Sequence, residues 1–358
     1  SREFLRSFDL TRAPLIRVGV VKLPGKESLL VLDLHHIISD GTSMRKLEQE
    51  FIRLYAGDTL PELKLRYRDF SEWQNRLFET GAIKKQKEYW LDRFKGEIPG
   101  LKMPQDHPRP PVLTAEGSSV GFEIDPETTA AVKRLVAETD TTIFMVLMAV
   151  FNILLLKYTG QEDIVVGTPI IGRRHADLEN IIGLFVNMLP LRNKPQREKT
   201  FETFLQEVKA NAFDANENQD YQYEQLVWDL NLKADYGRYP LFDAVFVLNM
   251  EEVKKVEVSD REAIDKMQIL PYQVRNEQLH HEFLLNATEL PRTIFMELQY
   301  STQLYEETTA RKMTAHYHEI LKQVVENRRI KLEKIAISQE LIAAATLVPR
   351  EDEGDFRL

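Results

Sequence analysis

Two adjacent imidazoles, a carboxylate and a glycine fall within seven residues, His35-His36-Ile37-Ile38-Ser39-Asp40-Gly41. A neutral imidazole can accept a proton or hold an amine by hydrogen bond. A carboxylate close by can orient the ring and stabilise its charged form. The histidines follow directly on an apolar run, Leu29-Leu30-Val31-Leu32-Asp33-Leu34. Such a run reads as a buried strand, so the pair leaves a rigid element, and Gly41 reads as a corner where a Cβ would clash. A lone histidine is usually a satisfied core residue. Two of them, followed by Asp-Gly at a strand end, point to proton chemistry.

Rival chemistries lack their residues. With no cysteine there is neither a disulfide nor a thiolate nucleophile, which fits a reducing cytosol. No His-Glu-x-x-His, paired Cys-x-x-Cys or carboxylate cluster marks a metal site. No glycine-rich phosphate loop marks a nucleotide site, and no serine-nucleophile elbow is expected. His316 and His318 are two apart on a predicted helix and face different ways. His280-His281-Glu282 reads as structure or surface. A net charge of −9 without a basic stripe argues against nucleic acid. The opening residues lack the apolar core of a signal peptide. The longest apolar stretch, 143–156, is too short for a bilayer span and reads as a buried helix.

The elements that must carry the histidines follow from periodicity. Residues 15–23 and 29–34 read as strands joined at Pro24-Gly25. Ser43 is a predicted cap for a helix with Met44, Leu47, Phe51 and Leu54 on one face, ended by Gly57. Further helices carry Phe70, Trp73 and Leu77, then Ile83, Trp90 and Phe94, with both tryptophans expected in the core. Five prolines between 99 and 111 read as an extended linker. Beyond it, strands are predicted at 120–124, 164–169, 184–191, 244–248, 283–287 and 294–300. Helices are predicted at 127–138, 142–158, 200–215, 222–230 and 306–327. Mixed strands and helices on both sides of the linker give an α+β chain in two lobes: 1–98, with the histidines, and 112–335. Residues 336–358 read as an outgoing linker.

The motif His-His-x-x-x-Asp-Gly, continued by Thr42-Ser43-Met44, resembles the signature of the condensation domains of non-ribosomal peptide synthetases. Four further blocks agree in order. Tyr67-Arg68-Asp69-Phe70-Ser71-Glu72-Trp73 and Ile182-Gly183-Leu184-Phe185-Val186-Asn187-Met188 resemble two of them. Asn218-Gln219-Asp220-Tyr221-Gln222-Tyr223-Glu224 and Arg238-Tyr239-Pro240-Leu241-Phe242-Asp243 resemble the others. Met188 and Gln222 depart from the family's usual Thr and Pro. Two of the family's opening blocks have no counterpart before His35, so the first lobe is expected to be incomplete.

The resemblance implies two chloramphenicol-acetyltransferase-like lobes arranged as a V. It implies transfer of an acyl or peptidyl group from one carrier's phosphopantetheine thioester to an aminoacyl amine on another. His36 is then the working residue, as base or as positioner of the amine, while His35 supports the turn. Gly41 is a candidate for bringing its amide to the developing oxyanion. Two readings stand for Asp40, orienting His36 or forming a structural ion pair whose partner would be Arg173; Arg174 and Asp177 read as a surface pair. Ser43 and Asn187 are candidates for lining a substrate tunnel, Asn187 equally for strand-end packing. No metal and no cofactor of its own is expected. The implied partners are upstream and downstream carrier domains and an adjacent adenylation domain, in the cytoplasm, with no nucleic acid or membrane. The alternatives are an epimerisation domain of the same superfamily, a stand-alone acyltransferase, and a non-catalytic module that docks or recruits carrier-bound partners.

Overall fold

The computed structural model of the chain describes residues 4, 6–25, 27–232, 235–250 and 279–337. The outgoing linker expected at 336–358 lies almost wholly outside the described residues. Internal contacts divide the described chain into two units. The first takes residues up to Lys84 and a return segment, Ile170–Asn187; the second takes Lys85–Pro169, 188–250 and 279–337. The lobe boundary expected within 99–111 therefore lies elsewhere. That proline-rich segment packs onto the second unit, with Leu101 and Met103 buried and the Asp106 amide donating to the Leu304 carbonyl at 3.0 Å. Its prolines fix an extended backbone, and an extended strap can still be buried.

In the first unit, β1 (Ile16–Lys22) and β2 (Ser28–Leu34) form an antiparallel hairpin with Arg17 opposite Asp33. Gly25, at φ +94°, supplies the left-handed turn between them. Helices α1 (Gly41–Tyr55) and α2 (Tyr67–Glu79) follow. The cap of α1 is Asp40 and not Ser43, because the Asp40 carboxylate accepts from the Ser43 amide at 2.7 Å. Phe51 and Leu54 stay exposed on α1, and Trp73 is 45% exposed on α2, against its expected place in the core.

The second unit is built on a mixed six-stranded sheet. Its strands are β3 (Gly117–Ile124), β4 (Ile164–Ile170), β5 (Asn187–Asn193), β6 (Ala244–Met250), β7 (Phe283–Glu289) and β8 (Ile294–Ser301), in the order β3-β8-β7-β6-β4-β5. The β3–β8 and β7–β8 pairs are antiparallel, β6–β7 and β4–β6 parallel. Among the described residues it also carries helices α3 (Lys84–Arg93), α4 (Pro126–Thr139), α5 (Ile143–Thr159), α6 (Phe201–Glu217), α7 (Tyr223–Asp229) and α8 (Glu307–Glu326). Helix α5 is apolar all round, and every residue from Met145 to Leu156 is buried, as a fully enclosed helix requires. Trp90 is buried as expected, its Nε1–H bonded to the Asn218 carbonyl at 2.8 Å. The chain is thus α+β with a mixed sheet.

Candidate active site

The β-ladder runs one residue past β2, the His35 amide donating to the Leu15 carbonyl at 3.1 Å. His35 then caps a single 3-10 turn, His36–Ile38, by accepting the Ile37 amide on Nδ1 at 3.1 Å. That bond places the proton of a neutral His35 ring on Nε2. His36 is exposed, at an open depression of about 310 Å³ in the first unit that Ser7, Phe8, Asp33 and His35 also line. The residue expected to be the working group is thus open to solvent.

Beyond the turn the backbone dives inward at Ser39 and Asp40, which are 6% and 5% exposed. Arg173 Nη1 donates to Asp40 Oδ2 at 2.8 Å and Nη2 to Oδ1 at 3.2 Å, a bidentate pair with side chains 2% and 4% exposed. The amides of Ser43 and Phe185 donate to the two remaining positions, at 2.7 and 3.0 Å. A carboxylate offers about four acceptor sites, and all are taken here. Asp40 is therefore the partner of Arg173 and does not orient His36. Burial alone would push its carboxyl up, but Arg173, then the Ser43 and Phe185 amides, hold it below the usual aspartate value.

Ser43 is equally committed. Its hydroxyl donates to the Gly183 carbonyl at 2.7 Å and accepts from the Gly183 amide at 3.0 Å and Arg173 Nη2 at 2.9 Å. At 1% exposure it is a bracket for the return segment and not a lining of any tunnel. Asn187, 4% exposed at the start of β5, takes the strand-end place of its two readings. Residues 184–186, expected as strand, precede β5, and within them the Phe185 amide bonds Asp40 and the Leu184 carbonyl bonds Tyr67.

The same network explains two of the sequence blocks. Tyr67 lies against Gly183, where a Cβ would fall 2.1 Å from its ring, and its hydroxyl donates to the Leu184 carbonyl at 2.8 Å. Phe70 packs on Phe185 with centroids 4.6 Å apart, and the Arg173 guanidinium lies over the Phe185 ring at 4.1 Å. Gly172 adopts φ +68°, and a Cβ there would meet the Phe185 carbonyl oxygen at 1.9 Å. Gly41, by contrast, has open space around it and no left-handed φ. The expected steric corner at Gly41 is absent, so the chain itself would tolerate a side chain there.

The other candidates are structural. Asp177 pairs with Lys64 rather than with Arg174, and its amide donates to His175 Nδ1 at 3.2 Å. His316 bonds Tyr158, while His318 faces Asp125. The spacing Gly117-Ser118-Ser119-Val120-Gly121 does match a serine elbow, contrary to the expectation of none. It runs straight along β3 in register with β8, whereas an elbow needs a sharp strand-to-helix turn. Glu282 is buried with Arg109, Arg238 and the Tyr305 hydroxyl. Beside it, burial and then the Glu282 charge push Asp243 up to about 7, against Arg238 and Arg109. His281 is pushed down to about 4 by burial and by His280, its ring edge-on to Tyr239 at 4.2 Å. The blocks at 218–224 and 238–243 likewise pack the second unit: Gln86 accepts from the Asp220 and Tyr221 amides at 3.0 and 3.1 Å.

The model of the condensation-domain family matches residues 1–344. This chain belongs to that family. It is 46% identical over 339 residues to tyrocidine synthase 3 of Brevibacillus parabrevis, covering 95% of the chain and 5% of the synthase. Against gramicidin S synthase 2 of Brevibacillus brevis the identity is 44% over 340 residues, covering 94% and 8%. The condensation domain thus spans under a tenth of these multidomain relatives. Its fold matches the X-domain from teicoplanin biosynthesis at a TM-score of 0.83, 22% identity, 94% of this chain and 78% of that one. It matches the condensation domain of the monacolin K polyketide synthase MokA at 0.79, 20% identity, 91% and 76%. The resemblance read from five short blocks is therefore a family membership over nearly the whole chain.

Proposed function

We propose that this domain forms an amide bond between two carrier-tethered substrates, a donor acyl or peptidyl thioester and an acceptor aminoacyl thioester. The acceptor nitrogen attacks the donor carbonyl, the C–N bond forms, the C–S bond breaks, and the donor carrier's thiol leaves. The attacking nitrogen must shed a proton, which passes through His36 to the departing sulfur or to solvent. A free α-amine has a pKa of about 8, so part of it is neutral at cellular pH and positioning by His36 matters as much as proton abstraction. The Gly41 amide, at the start of α1, is the candidate donor to the oxyanion. Both substrates arrive on phosphopantetheine arms, so the domain needs no cofactor of its own. Its neighbours would be carrier domains on either side and an adenylation domain, and the absence of cysteine fits the reducing cytosol.

One observation carries this reading. His36 stands exposed on a turn that is tied to β2 on one side and to the buried Asp40–Arg173 pair on the other. The test mixes two loaded carriers with the full chain and with His36→Ala. Dipeptidyl thioester from the wild type, with a loss of roughly 10²- to 10⁴-fold in the variant, is expected for a group that handles the proton. Equal product from both removes His36 from the mechanism. Epimerised aminoacyl thioester without condensation assigns the domain to epimerisation instead, and carrier binding without either product assigns it to recruitment.

A further inference from the structure

Side chains alternate along a strand, so Arg17 and Gly19 of β1 share a face with Asp33, which stands opposite Arg17. His35, two residues past Asp33, continues that face. Arg17 Nη1 donates to Asp33 Oδ2 at 2.7 Å, the two side chains 18% and 20% exposed. The same guanidinium reaches the carbonyls of Phe4, Arg6 and Ser7 at 3.3, 2.6 and 3.0 Å. A planar fork of five N–H donors can hold several carbonyls and a carboxylate together, which an ammonium cannot do. The guanidinium also covers the Phe8 ring at 3.7 Å, and Phe8 meets the His35 ring edge-on with centroids 6.0 Å apart. Gly19 leaves the room for this crossing segment, since a Cβ there would fall 2.8 Å from the Phe4 ring.

We propose that Arg17 is a positioning residue for His36. It pins the carbonyls of Phe4, Arg6 and Ser7 beside the hairpin and holds Phe8 against His35, and His35 caps the turn that carries His36. Ser7, Phe8 and Asp33 also wall the depression in front of His36, so one guanidinium sets both the turn and the surface before it. This role rests on the reading of His36 given above.

The test follows peptidyl thioester formation by the full chain while the acceptor carrier is varied. Arg17→Met and Phe8→Leu are each expected to lower kcat roughly ten- to a hundredfold, with KM for the carrier unchanged, because a small misplacement of a reacting group has that effect. The double variant is expected to be no slower than the slower single, since both changes break one chain of contacts. Arg17→Lys keeps a charge beside Asp33 but loses the fork, and is expected to follow Arg17→Met; should the methionine variant fail to fold, the lysine variant and Phe8→Leu carry the same comparison. Wild-type kcat in either single variant, multiplicative losses in the double, or a raised KM with kcat intact overturns the proposal. An active wild type with inactive His36→Ala and active Arg17→Met removes this role alone. A wild type without product removes the catalytic reading and this role with it.

Discussion

Asp40 and Arg173 form a pair whose worth is conditional on both members being present. Each is almost fully buried, and removing one leaves the other as an uncompensated charge. Asp40→Ala and Arg173→Met are each expected to destabilise the chain by about 3–5 kcal/mol, read as a shift of the urea midpoint at constant slope. Acid should do the same gradually. The Asp40 carboxyl sits below its ordinary value when folded, so the unfolded chain takes up its proton first. Its contribution is complete above the unfolded value of about 3.9 and is lost as the pH falls through the lower folded value. Denaturant titrations below neutral pH should show wild-type stability declining in that acid window, and Arg173→Met should flatten the decline.

The return segment Ile170–Asn187 is held in the first unit by the Arg173–Asp40 pair and the Ser43–Gly183 bonds, and two of its glycines admit the close neighbours these require. At Gly172 an alanine would meet both a left-handed φ and a carbonyl oxygen, and at Gly183 it would overlap the Tyr67 ring. Each substitution is expected to lower stability by about 1–3 kcal/mol, from strain at Gly172 and overpacking at Gly183. Gly41→Ala should behave oppositely. Its backbone is compatible with alanine and nothing crowds the position, so stability should rise by up to about 1 kcal/mol. If Gly41 serves the approach of a tethered substrate, the same variant condenses more slowly. A thermal scan and a condensation assay on Gly41→Ala would separate the two demands; unchanged turnover would show that the glycine does not serve the substrate's approach.

Across the molecule the two units carry titrations of opposite sign. Asp243, beside Glu282 in the second unit, is pushed up to about 7 by burial and by that neighbouring carboxylate. The folded state then holds a proton that the unfolded chain, with a carboxyl near 3.9, has already released. Its contribution is full below the unfolded value and is lost as the pH rises through about 7. His281, pushed down to about 4, opposes this over much of the same range, because the unfolded chain takes up the imidazole proton first. Asp243→Asn should therefore tilt the stability profile upward between mildly acid and neutral pH while leaving the Asp40 window below it intact. A set of urea midpoints between pH 3 and pH 8, about one unit apart, resolves the two windows. A wild-type slope that survives in Asp243→Asn would assign the neutral window to another group.

Local pattern was enough for the hairpin, the enclosed helix α5, the double histidine at a strand end and the blocks that define the family. These depend on alternation, helical period and turn residues, all of which act over a few neighbours. Only tertiary structure could decide what the polar residues after the turn do. Ser43 was legible as a cap or a tunnel wall, yet Gly183, 140 residues away, takes its hydroxyl in both directions. The unit boundary was misplaced because proline marks extended backbone, and whether such a strap is buried depends on what lies beneath it. Arg17 left no signal beyond a charge in a strand, since its importance comes from three carbonyls, a ring and a carboxylate that the fold brings to one guanidinium. Sequence records which groups can bond; packing determines which partners remain within reach once the backbone is fixed.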